Sequence, residues 1–204
     1  MSSLYKAIVF DFGGVLIDWD PRRLYRKYFD GDHAAMEDFL EEIGFTEWNL
    51  EQDKGRPFDV AVAELSKQFP HHERLIKAYD DQWDESILGP IQPTVDLLYK
   101  LKESGRPLYG LSNWSEEKFQ LTRPKYAFFD CFDEIVVSGE VKLLKPDPRI
   151  YEVFLERINR SADECVFIDD SAANIAAADE LGFKAIHFES TEQLERDLRL
   201  LDLL

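Results

Sequence analysis

Several apolar runs of the sequence end in, or are soon followed by, polar residues that could act together on a phosphoryl group. These polar residues are Asp11, Ser112, Asn113, Lys145, Asp169 and Asp170. Carboxylates that meet at one edge of a sheet repel each other unless a cation lies between them, and Mg²⁺ is the hard, oxygen-liganded ion that suits such a place. A nucleophile, a metal ion, a lysine and a hydroxyl are the groups that phosphoryl transfer needs.

Five short apolar runs predict the strands that would carry these residues. The runs are "KAIVFDF", "PLYGLSN", "DEIVVSG", "CVFIDD" and "KAIHF". None alternates cleanly between apolar and polar residues, which is typical of parallel strands covered on both faces. Helical patterns separate the later runs, and one of them begins with Asp147 as N-cap and Pro148 at the first helical position. The alternation predicts an α/β fold, a doubly wound Rossmann-like parallel sheet that binds ligands at the carboxyl ends of its strands.

A long interval after the first strand lacks any strand pattern. It spans about 70 residues, far more than an ordinary connection. Its amphipathic helical segments cover residues 21–29, 34–43 and 58–69. We therefore expect an α-helical cap of residues 18–89, inserted into a core of residues 1–17 and 90–204. Within it, residues 47–58 ("EWNLEQDKGRPF") are expected to face the substrate.

The composition excludes several classes of partner. The 204 residues carry a formal net charge of −17, which argues against binding to nucleic acid or to an anionic membrane surface. No apolar run approaches the length of a membrane span, and the first residues lack a signal-peptide pattern, so we expect a cytoplasmic protein. Cys131 and Cys165 are too few for a disulfide framework. The sequence leaves the oligomeric state open.

Four segments, in this order along the chain, resemble the motifs of the haloacid dehalogenase (HAD) superfamily. "IVFDFGGVL" is similar to its first motif, an apolar strand ending in Asp-x-Asp-Gly, and "LYGLSN" to its second. "LLKPDPRIY" is similar to the third motif and "VFIDDSAAN" to the fourth, an acidic pair that closes a strand. The resemblance spans nearly the whole chain, and the helical insertion falls where the commonest cap of this family falls. It implies Mg²⁺-dependent hydrolysis of a small phosphorylated metabolite, with a sugar phosphate as one candidate.

The resemblance also implies a nucleophile and a metal site. Asp11 would attack phosphorus and form an aspartyl-phosphate. The Asp11 carboxylate, the main-chain carbonyl of Gly13 and Asp170 would hold Mg²⁺. Asp169 would assist directly or through water, and Asn174 would support the acidic loop.

The remaining matched positions would bind the phosphate. Ser112 and the main-chain N–H of Asn113 would donate to phosphate oxygens, and Lys145 would neutralise charge on the nucleophile and the phosphate. Gly14 and Trp114 complete the expected substrate-binding set. Lys142 competes with Lys145 for the lysine role, but the Lys-Pro-Asp-Pro context favours Lys145.

The sequence departs from the family pattern at Gly13. Most phosphatases of this family carry a second Asp there, which protonates the leaving oxygen and later activates water. Glycine keeps the main-chain metal ligand but removes an acid–base group worth on the order of 10²–10⁴ in rate. We consider two hypotheses: a leaving group that needs little protonation, such as an anomeric, acyl or aryl phosphate, or a carboxylate borrowed from the cap, such as Asp53.

Two other functions compete with phosphatase activity. Haloacid dehalogenases also use the nucleophilic Asp and lack the second one, but they need no metal and carry Ser-Ser-Asn in place of the acidic pair. The retained pair Asp169–Asp170 therefore favours phosphate ester hydrolysis. A non-catalytic member that binds a phosphorylated ligand or a protein is the second alternative, although binding alone does not require Asp11. Phosphomutase activity is disfavoured because it relies on the missing acid–base residue.

Overall fold

The computed structural model describes residues 4–204, and this part of the chain contains seven strands. The strands are β1 Ala7–Phe10, β2 Ile17–Trp19, β3 Ile87–Pro90, β4 Leu108–Ser112, β5 Glu134–Val137, β6 Cys165–Asp169 and β7 Lys184–His187. All five strands that the sequence predicts are present, as β1, β4, β5, β6 and β7.

The same described residues form eleven α-helices. The helices are α1 Pro21–Tyr25, α2 His33–Glu42, α3 Phe45–Asp53, α4 Phe58–Gln68, α5 Glu73–Asp81, α6 Gln92–Glu103, α7 Glu116–Thr122, α8 Ser138–Val141, α9 Pro148–Ile158, α10 Ala172–Glu180 and α11 Thr191–Leu200. Asp147 caps α9 as predicted, because its side chain accepts a hydrogen bond from the Arg149 N–H at 3.0 Å. Among residues 4–204, no helix combines the length and the apolar character that crossing a bilayer requires.

Five strands form one parallel sheet in the order β5-β4-β1-β6-β7. β1 lies at its centre, where Ile8 pairs with Leu108 of β4 on one side and with Val166 of β6 on the other. The chain adds β4 and β5 on one side of β1 and then β6 and β7 on the other side. This confirms the predicted doubly wound α/β sheet, and it puts the reversal of strand order, where such folds bind ligands, beside β1.

Apolar residues cover both faces of this sheet. Ile8 and Phe10 of β1 belong to one buried cluster, whereas Ala7 and Val9 belong to a second cluster on the other face. All four side chains are fully buried. A strand covered on both faces has no solvent side for polar residues, which explains why its sequence does not alternate.

A second, two-stranded antiparallel sheet joins the ends of the helical interval. β2 pairs with β3, with Ile17 opposite Pro90 and Asp18 opposite Gly89. The sequence predicts no strand in the interval after β1, and this prediction was wrong at both ends. β2 is only three residues long, and β3 contains Gly and Pro, which are depleted in strands.

Helices α1 to α5 lie between β2 and β3, and we call residues 18–89 the helical segment. Its interior is aromatic: the ring centroids of Tyr25 and Phe39 are 5.1 Å apart, and those of Phe45 and Tyr79 are 4.9 Å apart. These four rings are buried, and edge-to-face contacts between them add to the free energy of burial. The division into a cap of residues 18–89 and a core of residues 1–17 and 90–204 stays a prediction.

Candidate active site

The carboxyl ends of the three central strands bring polar side chains together. Asp11 directly follows β1, Ser112 is the last residue of β4, and Asp169 is the last residue of β6. Ser112 Oγ donates a hydrogen bond to Asp11 Oδ1 at 2.6 Å, and the main-chain N–H of Phe12 donates to the same oxygen at 2.7 Å. These donors fix the orientation of the buried Asp11 carboxylate.

Lys145 reaches this cluster from the loop between α8 and α9. Its Nζ lies 3.1 Å from Asp11 Oδ1 and 2.6 Å from Asp169 Oδ2, and it donates to the Leu111 carbonyl at 2.8 Å. Burial would lower the pKa of Lys145, but the Asp11 and Asp169 carboxylates raise it above its usual value. The ammonium therefore stays charged between the two acids. Lys142, the competing lysine, is exposed instead, and its Nζ donates to the Gly139 carbonyl at 2.5 Å.

Asn113 holds the backbone of this lysine. Its Nδ2 donates to the Lys145 carbonyl at 2.9 Å, and the Lys145 N–H donates to Asn113 Oδ1 at 2.8 Å. Sequence reasoning assigned Asn113 a role through its main chain only. The contact of its side chain with Lys145 was missed, because a polar residue after a strand fits an ordinary turn equally well.

The acidic pair divides into a fixed and an exposed member. Asp169 is fully buried and accepts hydrogen bonds from the Ser171 N–H at 2.8 Å and from Asn174 Nδ2 at 3.0 and 3.1 Å. Asp170 is exposed beside it. Although the residue as a whole is exposed, partial burial of its carboxyl group raises the pKa of Asp170, and the neighbouring Asp169 carboxylate raises it further. Asn174 therefore orients Asp169, while Asp170 remains accessible.

The three acids have the spacing of a metal site. Asp11, Asp169 and Asp170 each offer one carboxylate oxygen, and these oxygens lie within 4.8 Å of one another. Burial raises the pKa of Asp11 to about 7, although the Lys145 ammonium opposes this shift. A set of oxygen donors that repel each other fits a hard divalent cation such as Mg²⁺.

Gly14 admits one of these carboxylates to close approach. Its φ is +71°, and a Cβ there would lie 2.1 Å from Asp170 Oδ2. Only glycine fits both the left-handed backbone and the contact. Gly14 thus lets the Asp170 carboxylate lie against the backbone of the first motif.

Gly13 has no such steric reason to be glycine. A Cβ built on it has no heavy atom within 4 Å, and its backbone lies outside the left-handed region. Gly13 faces a cavity of about 60 Å³, which we call the inner cavity. The inner cavity is lined by Gly13, Ile17, Trp19, Asn49, Asp53, Trp83, Asn113 and Trp114.

Three tryptophans make the inner cavity mainly apolar. Trp19 and Trp83 stack with ring centroids 6.1 Å apart, and Trp114 contributes from the loop after β4. Nε1 of Trp83 and of Trp114 is buried without a hydrogen-bond partner in the described chain. Trp48 lies elsewhere and packs on Tyr79 inside the helical segment. Trp83 was missed, because no apolar pattern surrounds it in the sequence.

A buried carboxylate from the helical segment also faces the inner cavity. Asp53 Oδ1 accepts a hydrogen bond from the Ser115 N–H at 3.0 Å, and Asp53 Oδ2 accepts one from Asn49 Nδ2 at 2.9 Å. Tyr79 Oη donates in turn to Asn49 Oδ1 at 2.9 Å. Burial raises the pKa of Asp53 to about 7, and the Ser115 hydrogen bond lowers it in part. Residues 47–58, which the sequence places at the substrate, thus contribute Asn49 and Asp53 to the cavity.

Phe12, between Asp11 and Gly13, anchors the loop after β1. Its ring centroid lies 5.0 Å from that of Phe129, and the ring covers Gly110 of β4 so closely that a Cβ there would lie 2.3 Å from Phe12 Cζ. The aromatic residue therefore holds the first motif against the sheet from one side.

Comparison with known proteins agrees with this architecture. The family model of haloacid dehalogenase-like hydrolases matches residues 5–182. The sesquiterpene phosphatase astK of Aspergillus oryzae is 30% identical over 202 residues, which cover 98% of each chain. The drimenol cyclase drtB of Aspergillus calidoustus is 32% identical over 204 residues, which cover 96% of this chain and 36% of that protein.

A solved relative has the same overall fold. The HAD family enzyme bt-2542 of Bacteroides thetaiotaomicron, crystallised with magnesium and inorganic phosphate, is 26% identical with a TM-score of 0.72. The similarity covers 93% of this chain and 98% of that chain. Together with the family match, this confirms the resemblance found in the sequence: the chain belongs to the haloacid dehalogenase-like hydrolase family.

Proposed function

We propose that this hydrolase is a Mg²⁺-dependent phosphatase that cleaves a small phosphorylated metabolite through an aspartyl-phosphate on Asp11. The proposal depends mainly on the environment of the buried Asp11 carboxylate. Its Oδ1 lies 3.1 Å from Lys145 Nζ and 2.6 Å from Ser112 Oγ. Two relatives support it, one named a phosphatase and one crystallised with magnesium and inorganic phosphate.

The chain supplies a distinct group for each need of the reaction. Mg²⁺, held by Asp11, Asp170 and the main-chain carbonyl of Gly13 with help from Asp169, would stabilise negative charge on the phosphoryl group. The Asp11 carboxylate attacks phosphorus, which splits one difficult displacement into two easier ones. Lys145 balances the negative charge that collects around the phosphorus.

Donors to the phosphoryl oxygens lie at the end of β4. We assign this role to the Ser112 hydroxyl and to the main-chain N–H of Asn113, which follow each other at the carboxyl end of the strand. Asn113 serves twice, because its side chain also fixes the Lys145 backbone. The Asn113 N–H is fixed before the substrate arrives and costs no reorganisation during the reaction. The Ser112 hydroxyl donates to Asp11 here and would turn its proton to the phosphoryl oxygen.

The lining of the cavity favours an apolar organic group over a sugar. Ile17 and the three tryptophans dominate the inner cavity, which has room for only a few water molecules in the present arrangement. A groove of about 530 Å³, which we call the outer groove, shares Trp19, Asn49 and Asp53 with it. The outer groove adds the apolar side chains of Leu40, Phe45 and Leu50. Its lining also includes the charged residues Arg22, Glu37, Glu41 and Glu47.

We therefore propose a phosphate monoester with a terpenyl-like chain as the substrate class. The reacting oxygen would lie in the inner cavity and the chain in the outer groove. The name of the relative astK, a sesquiterpene phosphatase, points to the same class.

A substrate panel tests the proposal. Phosphate release is measured with farnesyl monophosphate, glucose 1-phosphate, glucose 6-phosphate and 4-nitrophenyl phosphate, each with Mg²⁺ and with EDTA. We expect hydrolysis that needs Mg²⁺, a kcat/KM at least tenfold higher for the farnesyl ester than for either sugar ester, and no activity in Asp11→Asn. Asp179→Asn, an exposed carboxylate on α10, is the matched control and keeps full activity.

Two further assays separate phosphatase activity from the alternatives, a dehalogenase and a non-catalytic binding protein. Halide release from 2-chloropropionate in the presence of EDTA would identify a dehalogenase instead. Failure of beryllofluoride to bind in an Asp11-dependent way, together with no turnover on any ester, would identify a non-catalytic binding protein.

A further inference from the structure

We infer that Asp53 is the general acid and base of this reaction, acting across the inner cavity from the position where Gly13 lacks a carboxylate. The inference rests on the proposed attack of Asp11 on a phosphate ester. It assigns a catalytic residue to the helical segment, far in the sequence from the four motifs of the core.

The first argument is placement. Of the described residues that line the inner cavity, Asp53 alone carries a carboxyl group. Gly13 and Asn113 line the same cavity, and they adjoin Phe12 and Ser112, which both bond to Asp11. A leaving group bound in this cavity would therefore contact Asp53 and the two loops that hold Asp11.

The second argument is rigidity, because a proton donor acts well only when it is held in position. Asn49 and the Ser115 N–H each bond to one carboxylate oxygen of Asp53. The Asp53 carbonyl accepts a hydrogen bond from Ser138 Oγ, so the core also binds the main chain of this residue.

A glycine lets the backbones of the helical segment and the core meet at this point. Gly55 has a φ of +97°, and a Cβ on it would lie 2.6 Å from the carbonyl oxygen of Gly139. The turn after α3 is therefore seated on the core only two residues from Asp53.

The third argument is the state of the proton. Burial raises the pKa of Asp53 to about 7, which suits a group that must both give and take a proton near neutral pH. Tyr79 is a titratable neighbour of Asp53 within the helical segment, and the two are linked through the Asn49 side chain. Burial raises the pKa of the Tyr79 phenol well above its usual value. From the core, Ser115 and Ser138 face Asp53 with groups that do not titrate. A charged group near the turn that follows Asp53 is the Lys142 ammonium, whose Nζ lies 3.4 Å from the Gly55 carbonyl.

Both half-reactions balance with this assignment. In the first, an Asp11 oxygen bonds to phosphorus while the bond from phosphorus to the ester oxygen breaks, and protonated Asp53 gives its proton to that oxygen. In the second, a water oxygen bonds to phosphorus while the Asp11–phosphorus bond breaks, and the Asp53 carboxylate takes a proton from the water. The alcohol and inorganic phosphate leave, and Asp11 and Asp53 return to their starting states.

The Asp53→Asn variant distinguishes a role of Asp53 in proton transfer from a purely structural role. The amide keeps the shape and can still accept from the Ser115 N–H, but it cannot transfer the proton. We expect the turnover rate of an alkyl phosphate to fall about 10²–10⁴-fold, which is the usual contribution of general acid–base catalysis to the rate. With 2,4-dinitrophenyl phosphate, whose leaving group needs no proton, we expect a burst of one dinitrophenolate per active site and then slow turnover. A structural defect would lower both rates together without a burst, and that result would overturn the inference.

Gly13→Asp in the Asp53→Asn background provides a rescue test. The new side chain has space, because no heavy atom lies within 4 Å of the Gly13 Cβ position. We expect the double variant to recover at least tenfold in alkyl phosphate turnover over Asp53→Asn. No recovery in a folded double variant, together with the absence of a burst, counts against the assignment. If the wild-type chain hydrolyses none of the esters, the proposed function fails instead, so the two failures are distinguishable.

Discussion

Asn113 and Lys145 are joined by two hydrogen bonds between the Asn113 side chain and the Lys145 main chain, 2.9 Å long in one direction and 2.8 Å in the other. The lysine backbone is thereby fixed to the end of β4, one residue beyond Ser112. The Lys145 ammonium, in turn, lies between the Asp11 and Asp169 carboxylates. The position of this loop therefore sets the charge beside Asp11, the proposed nucleophile.

The Asn113 side chain is expected to act on catalysis through Lys145. Replacing it with Ala frees the Lys145 backbone, and we expect kcat to fall by about 10–100-fold, the loss that a misplaced catalytic group causes. Asn113→Asp keeps an acceptor for the Lys145 N–H but turns its second carboxylate oxygen toward the Lys145 carbonyl, which repels it, so we expect a loss at least as large. Steady-state kinetics on the preferred ester measure both variants. A kcat within twofold of the wild type in either variant would contradict a positioning role for the Asn113 side chain.

The contact between α7 and α8 should not tolerate a methyl group at Gly139. Its Cβ would lie 2.4 Å from the Glu116 nitrogen, and backbone atoms cannot yield as a flexible side chain can. We expect Gly139→Ala to lower the free energy of unfolding by about 1–3 kcal/mol, as overpacking does. Gly13→Ala is the matched control, because it has no neighbour within 4 Å. Urea denaturation measures the difference, and similar stability of the two variants would be inconsistent with this close approach.

The sheet and the residues at its edge follow from local patterns in the sequence. A buried parallel strand is an apolar run without alternation, and the residue that follows it lies at the carboxyl edge whatever the rest of the chain does. Asp11, Ser112 and Asp169 are therefore predictable as neighbours once three strands are recognised. Their order in the sheet needs only the usual rules of chain connection.

The rest of the site depends on how the helical segment packs, and no local pattern reports this. Trp83 lies in a polar stretch, and Asn49 is one polar residue among many on a helix. The sequence names Asp53 only as one carboxylate of the helical segment. Its place in the inner cavity results from contacts with Ser115 and Ser138, more than 60 residues further along the chain. Long-range packing of this kind decides which residues complete the cavity.

The raised pKa of Asp53 should make the protein less stable as the pH rises. Its pKa is about 7 in the folded chain and about 3.9 in an unfolded one, so between these values the folded state binds more protons. The free energy of unfolding must then fall as the pH increases from about 4 to 7. Asp53→Asn removes this contribution, and we expect the variant to lose less stability than the wild type between pH 5 and 8, by on the order of 1–4 kcal/mol. Denaturant titrations at several pH values measure the two slopes, and parallel curves would show that Asp53 titrates normally.

Asp170 offers a test of the metal site that does not depend on activity. It is the exposed member of the acidic cluster, and Asp169 is already held by Ser171, Asn174 and Lys145. We expect 10 mM MgCl₂ to raise the melting temperature of the wild type, because an ion that binds only the folded chain stabilises it by mass action. Asp170→Asn should lose this rise yet melt no lower than the wild type in EDTA, since the substitution removes a repelled charge. Asp179→Asn, the exposed control, should keep the full rise, and an unchanged Mg²⁺ response in Asp170→Asn would exclude Asp170 as a ligand.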